Sequence, residues 1–340
     1  MEIKGTAVTL GRTGITVQKN GFGCLPIQRI SMDEAALLLK KAYAHGIRFF
    51  DTARMYTDSE AKIGVALGDV REDIIIASKT MAATAREFQE QLLTSLDQLK
   101  TDYIDLYQFH NPAFCPRPGD ASGLYDAMLE AKDKGLIRHI GITNHRLAVA
   151  GEAVESGLYE TLQFPFSYIA SEQEVYLAES CRDKNIGFIA MKALSGGLIT
   201  NSAAACAYLA QFDHVLPIWG VQKESELDEF LSYIENPPVM NDEFSAVIKK
   251  DRQEFSKEFC RSCSYCLPCP AGIEIPNAAR MSLLIRRAPV SIFLNEEWQA
   301  KMRKIEDCIH CNRCAKRCPY GLDTPRLLEK NLEDYLTFLS

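Results

Sequence analysis

From residue 19 to about 235 the chain alternates short apolar runs with longer amphipathic stretches. The runs are KNGFGC, IRFFDT, DIIIASKT, YIDLYQFH, IRHIGIT, TLQF, IGFIAMK and HVLPIW, which makes eight strand candidates. Between them apolar residues recur at helical spacing, as in AREFQEQLLTSLDQLK, where Leu92, Leu96 and Leu99 share a face. In SMDEAALLLKKAYAHG, Ser31 and Glu34 have the spacing of a capping box, and Gly46 can end the helix. Repeated strand-then-helix units imply a parallel sheet closed into a (β/α)8 barrel, an α/β fold of the TIM type. An open doubly wound sheet is the alternative, but no G-x-G-x-x-G follows the first strand. Two earlier pieces, AVTLGRTG and ITV, read as a hairpin plugging the bottom of the barrel.

After Ile234 the pattern changes. ENPPVMNDEF is polar and Pro-rich, a plausible linker, so residues 1–240 are assigned to the barrel and 241–340 to a second domain. That domain contains a charged helix running into Cys260, a helical stretch near NAARMSLLIRR, and little strand pattern.

Composition narrows the picture. A hydrophobic fraction of 47% with 24% charged residues is globular. The opening MEIKGTAVTL lacks the apolar core of a signal peptide, and no apolar run approaches the ~18 residues of a membrane span. The expectation is a cytoplasmic protein with no membrane contact. Of the net charge of −7, residues 241–340 hold sixteen Lys and Arg against fourteen Asp and Glu, so the acidity lies in the barrel. No basic stripe marks a nucleic-acid surface, so no nucleic-acid partner is expected.

Candidate chemistry sits where a barrel enzyme keeps it, at the C-terminal ends of the strands. The second strand ends in Asp51, the third in Lys79 and the fourth in His110, with Tyr56 in the loop above the same mouth. A phenol titrating near ~10 is a poor proton donor at neutral pH. A Lys ammonium at ~4 Å contributes up to ~4 kcal/mol at an effective dielectric of ~20, enough to lower that value by two or three units. Asp51 would hold Lys79 charged, and His110 would hydrogen-bond a substrate oxygen.

On FFDTARMY, the Lys of SKT, the His of YQFHNP and GITNH, residues 5–235 resemble the aldo-keto reductases. The resemblance implies carbonyl reduction by NAD(P)H, with Tyr56 as general acid, Lys79 and Asp51 as its tuners, and His110 orienting the carbonyl. It implies that Thr143, Asn144 and Gln163 hold the nicotinamide amide, and that Gly23 borders the cofactor. Ser195, Gly196 and Gly197 would line the pyrophosphate. Met191 stands where many members stack a Tyr on the nicotinamide ring, and it is followed by Lys192, which reaches either a phosphate or solvent. Gly220 and Glu226 occupy the places where a Lys and an Arg usually meet the 2′-phosphate, with Lys223 nearby as a partial substitute. NADH is therefore expected to bind at least as well as NADPH.

Eight of the twelve cysteines form two blocks, Cys260, Cys263, Cys266 and Cys269, then Cys308, Cys311, Cys314 and Cys318. The second block is C-x2-C-x2-C-x3-C-P, the spacing of bacterial-type ferredoxins, and the first has one residue fewer before its last Cys. Two four-thiolate zinc sites are the rival reading, although these typically separate their pairs by a long loop. In two-cluster ferredoxins the fourth Cys ligates the other cluster. Two [4Fe-4S] clusters follow, one on Cys260, Cys263, Cys266 and Cys318, the other on Cys308, Cys311, Cys314 and Cys269. His310, Lys316 and Arg317 are expected to be exposed. The remaining Cys24, Cys115, Cys181 and Cys206 read as small buried apolar residues.

The domain resembles the helical ferredoxin modules of one aldo-keto reductase subgroup. A hydride carries two electrons and a cluster takes one, and no flavin motif is present to split the pair. The expected partners are a small carbonyl substrate and an external flavoprotein or ferredoxin. The other functional class is an electron-transfer or redox-sensing subunit whose barrel binds the nucleotide with little turnover.

Overall fold

The computed structural model describes residues 7–255, 259–287 and 289–339. The expected run of the charged helix into Cys260 crosses residues 256–258, which lie outside them. Strands β1 (Ala7–Thr9) and β2 (Thr16–Gln18) pair antiparallel. Eight further strands follow: β3 (Gly21–Gly23), β4 (Phe49–Asp51), β5 (Ile75–Thr80), β6 (Ile104–His110), β7 (Ile137–Thr143), β8 (Thr161–Pro165), β9 (Gly187–Met191) and β10 (Val215–Gly220). They are all parallel and close in the order β10-β3-β4-β5-β6-β7-β8-β9. Each coincides with one of the eight apolar runs, β8 and β10 reaching one residue past theirs, because a strand buried on both faces has no reason to alternate polar with apolar residues.

The hairpin fills the bottom of the barrel. Val8, Leu10, Ile15 and Val17 pack in one cluster with Phe49, Ala77, Leu106, Ile189 and Leu216. Around the barrel, the helix Met32–Ala44 starts on the Ser31–Glu34 capping box and is followed by Gly46 at a positive φ of 95°. The helix Ala85–Leu99 buries Leu92, Leu96 and Leu99. Cys24, Cys115 and Cys181 are buried, whereas Cys206 is half-buried, correcting the expectation for that residue. It lines a cleft with Lys19, just before β3, and Trp219, near the end of β10, which leaves its side chain partly open.

The chain divides into two compact units, Met1–Ala193 with Ala203–Phe244, and Leu194–Ser202 with Ser245–Ser340. The second thus includes a short segment that follows β9 in the sequence. Its longer elements are helices: Asp242–Glu254, Glu296–Arg303 and Thr324–Leu336. Among the described residues it contains no strand. Its core gathers Ile273, Ile275, Met281, Met302, Leu328 and Tyr335, and Cys314 is part of it.

Candidate functional site

Each strand of the barrel carries a residue singled out by sequence at or near its C-terminal end. The register sets them side by side. Gly220 pairs with Gly23, Gly23 with Asp51, His110 with Thr143, and Thr143 with Gln163.

Lys79 Nζ donates to both Asp51 oxygens, at 2.7 and 2.8 Å, and to the carbonyl of Thr52 at 2.6 Å. Gln163 Nε2 donates to Asp51 Oδ2 at 3.3 Å, and Gln108 Nε2 donates to Gln163 Oε1 at 2.9 Å. Burial raises the Asp51 carboxyl above its usual range, while the Lys79 ammonium and the Gln163 amide pull it back. Hydrogen bonds from both partners favour its ionised form, and its two oxygens anchor Lys79 Nζ. Burial also holds His110 well below the usual imidazole range, with the Lys79 charge adding to it. A neutral imidazole at this place donates or accepts a hydrogen bond without delivering net charge.

The Tyr56 ring centroid lies 5.4 Å from Lys79 Nζ and 5.7 Å from the His110 ring centroid, edge-on at 84°. The loop carrying it is braced from below. Arg54 N donates to the Lys79 carbonyl at 3.0 Å, and Ser59 Oγ donates to the Cys24 carbonyl at 3.0 Å. The Arg54 guanidinium pairs with buried Glu60, which also accepts from Ser78 Oγ. These contacts fix the half-buried tyrosine over the Lys79–Asp51 pair.

The expected nicotinamide contacts divide. Thr143 Oγ1 is buried with no hydrogen-bond partner among the described residues, an orphan suited to a ligand amide. The Asn144 side chain is committed inside the protein, donating to the Pro112 carbonyl and accepting from Arg146 N. Gln163 is tied to Gln108 and Asp51, as above. At Gly23 a Cβ would meet the Trp219 carbonyl oxygen at 3.1 Å, so close strand pairing already requires glycine there. At Gly220 it would meet Pro26 at 3.2 Å. Met191 and Lys192 are half-buried, Lys192 at a positive φ of 55°. Glu226 Oε2 caps its helix, accepting from Gln222 N and Lys223 N at 2.8 and 3.0 Å, and Lys223 is exposed.

Within the second unit, Ser195, Gly196 and Gly197 take positive φ values of 50°, 65° and 91°. Arg280 Nη1 donates to the Gly196 carbonyl at 2.7 Å, and Arg287 Nη1 to the Leu198 carbonyl at 2.9 Å. Asp251 and Glu254 both hold the Arg287 guanidinium. A Cβ at Gly196 would press on Arg280 Nη1 at 3.0 Å and on Ser262, inside the first cysteine block, at 3.4 Å. Glycine is needed at this approach as well as for its conformation.

Cys266 and Cys269 line one cavity with Cys308, Cys311 and Cys314, walled by Ile273 and Leu328. The last two cysteines of the first block are therefore gathered with three of the second. The segment after Cys314 also contacts the first block: Arg317 Nη1 donates to the Leu267 carbonyl at 3.3 Å, and Arg261 lies 4.8 Å over the Tyr320 ring. Cys318 lies between those two anchors on the first block. A set of thiols between mainly apolar walls, with Asn312 and Arg313 beside them, fits iron–sulfur chemistry. No described Cys, His, Asp or Glu residues gather three or more at the spacing of a single ion. His310, Lys316 and Arg317 are exposed.

The sequence reading missed Gln108, which links Gln163 into the Asp51 network, and the two arginines latching the Ser195–Gly197 segment. The signal for Gln108 was present, an amide in the middle of the wholly buried strand IDLYQFH.

Residues 19–214 match the family model of the aldo/keto reductases, and residues 259–323 that of a 4Fe-4S dicluster domain. The chain is 28% identical over 205 residues to an uncharacterized oxidoreductase of Bacillus subtilis, covering 56% of this chain and 65% of that protein. It is 28% identical over 210 residues to L-galactose dehydrogenase of Arabidopsis thaliana, covering 56% and 66%. With a methylglyoxal reductase of Salmonella typhi the identity is 34% over 148 residues, covering 41% and 52%. The chain thus spans less than two thirds of the length of these relatives. In fold it is similar to an aldo-keto reductase of Bacillus halodurans in its holo form, with a TM-score of 0.63 at 21% identity over 72% of this chain and 96% of that one. A Klebsiella pneumoniae aldo/keto reductase in complex with NADP and acetate gives 0.61 at 20%, over 73% and 95%. With the family model spanning most of the barrel, this chain belongs to the aldo/keto reductase family and carries a C-terminal 4Fe-4S dicluster domain.

Proposed function

We propose that the protein reduces the carbonyl of a small aldehyde, ketone or sugar to an alcohol at the expense of NAD(P)H. The nicotinamide, when bound, supplies the hydride that goes to the carbonyl carbon. The chain supplies the rest. Tyr56 gives its phenolic proton to the carbonyl oxygen, the Lys79 ammonium favours the phenolate left behind, and Asp51 keeps that ammonium in place. His110 donates a hydrogen bond to the same oxygen and orients it. The Thr143 hydroxyl, buried without a partner among the described residues, meets the carboxamide edge. The observation that carries this reading is the buried Lys79–Asp51 pair, with the Tyr56 ring 5.4 Å from the ammonium. Purified protein should oxidise NADH or NADPH in the presence of some member of a panel of aldehydes, ketones and sugars. Nucleotide binding without turnover on any of them would favour the electron-transfer or redox-sensing alternative.

The same proposal assigns two [4Fe-4S] clusters with crossed ligation, Cys269 joining Cys308, Cys311 and Cys314, and Cys318 joining Cys260, Cys263 and Cys266. Cys269 shares a cavity, which Cys266 also lines, with the second block, and Cys318 is flanked by contacts of Arg317 and Tyr320 to the first block; both support it. Such clusters exchange one electron at a time with an external flavoprotein or ferredoxin.

A further inference from the structure

The helix Arg313–Arg317 carries Arg313, Lys316 and Arg317, all exposed. At i, i+3 and i+4 they share one face, where like charges destabilise a helix slightly. None of the three is ion-paired among the described residues, and Arg317 donates only to the Leu267 carbonyl. Nearby cations are treated differently: Lys301 pairs with Glu297, Lys304 with Asp307 and Arg286 with Asp334. Two more features lie at this place. Ile309 is 65% exposed between Cys308 and Cys311, and Cys311 is itself exposed. An apolar centre with a charged rim is the anatomy of a transient protein interface.

Arg313 lines the cysteine cavity and Arg317 reaches the Leu267 carbonyl, yet both, with Lys316, are exposed at the surface of a chain whose net charge is −7. A local positive face on an acidic protein steers and orients a negatively charged partner. We propose that Ile309, Arg313, Lys316 and Arg317 form the docking face for a small acidic one-electron carrier protein, with Cys311 the ligand at which the electron crosses. The proposal rests on the cluster assignment above. The step balances simply: the carrier loses one electron, the cluster gains it, and no bond or proton changes hands.

The test uses the full-length holoprotein with iron counted. A reduced acidic ferredoxin is mixed with it in stopped flow at stepped ionic strength. The transfer rate should fall steeply as salt rises. In the double variant Arg313→Glu with Lys316→Glu, the low-salt rate should fall about tenfold or more and lose its salt dependence, with iron content and reduction potential kept. An unchanged rate and salt slope, or a shifted potential with unchanged docking, overturns the proposal. If the double variant assembles no cluster, the wild-type salt series decides, and a rate that does not fall with salt overturns it. Wild-type protein without iron would instead remove the cluster assignment itself.

Discussion

Lys79 and Asp51 meet through two hydrogen bonds with neither side chain more than 4% exposed. A pair buried this deeply is costly to break from one side, because the survivor keeps its desolvation penalty and loses its partner. Lys79→Met should cost about 3–5 kcal/mol of barrel stability in urea unfolding. Adding Asp51→Asn should return much of that loss, since no buried charge remains. A double variant no more stable than Lys79→Met would contradict the pairing.

His110 gives a prediction in pH. Burial first, and Lys79 second, depress its folded value, while an unfolded imidazole titrates near ~6.5. The folded protein therefore stays neutral at this site as pH falls, and the unfolded chain takes up the proton. His110 should cost stability progressively below about pH 6.5, and should add no ionisation to the carbonyl-reduction rate between about pH 6 and 8. A limb near ~6.5 that His110→Gln removes would show that the imidazole is charged in the enzyme.

Cofactor choice turns on Glu226. Its carboxylate is held by the amides of Gln222 and Lys223, so a negative charge is fixed where the family resemblance expects a cation beside the 2′-phosphate. Fluorescence titration should find NADH binding at least as tightly as NADPH, and Glu226→Gln should improve NADPH selectively. NADPH far tighter in the wild type would point to Lys223 or Lys192 as a phosphate ligand.

The proposed crossed ligation would make each cysteine block answer for both clusters. Cys269→Ser should disturb the cluster of Cys308, Cys311 and Cys314, and Cys318→Ser that of Cys260, Cys263 and Cys266, in iron content and cluster spectra. Each substitution acting only on its own block would mean local ligation. Protein that is colourless and holds zinc would end the iron–sulfur assignment.

What could be read from sequence follows from the range of the interactions. All eight barrel strands were legible because burial on both faces writes them as continuous apolar runs, and Asp51, Lys79 and His110 stood out as polar ends to those runs. Gln108 was visible as an amide in a buried strand, but its role was not, because its partner Gln163 is 55 residues away. The latch on the Ser195–Gly197 segment was invisible for a similar reason. Arg280 reaches a backbone carbonyl 84 residues away and Arg287 one 89 residues away, and backbone acceptors leave no trace in side-chain pattern. Asn144 was read as facing a ligand from family likeness alone, whereas its amide is spent locally on Pro112 and Arg146.

The central claim is that Tyr56 delivers the proton. With a carbonyl substrate found from the panel, Tyr56→Phe removes only the donor oxygen and leaves the ring on His110 and over Lys79. The rate of carbonyl reduction should then fall by about 100- to 10,000-fold, with nucleotide affinity unchanged within about twofold. Turnover within a few fold of wild type, at equal nucleotide affinity, would contradict the account.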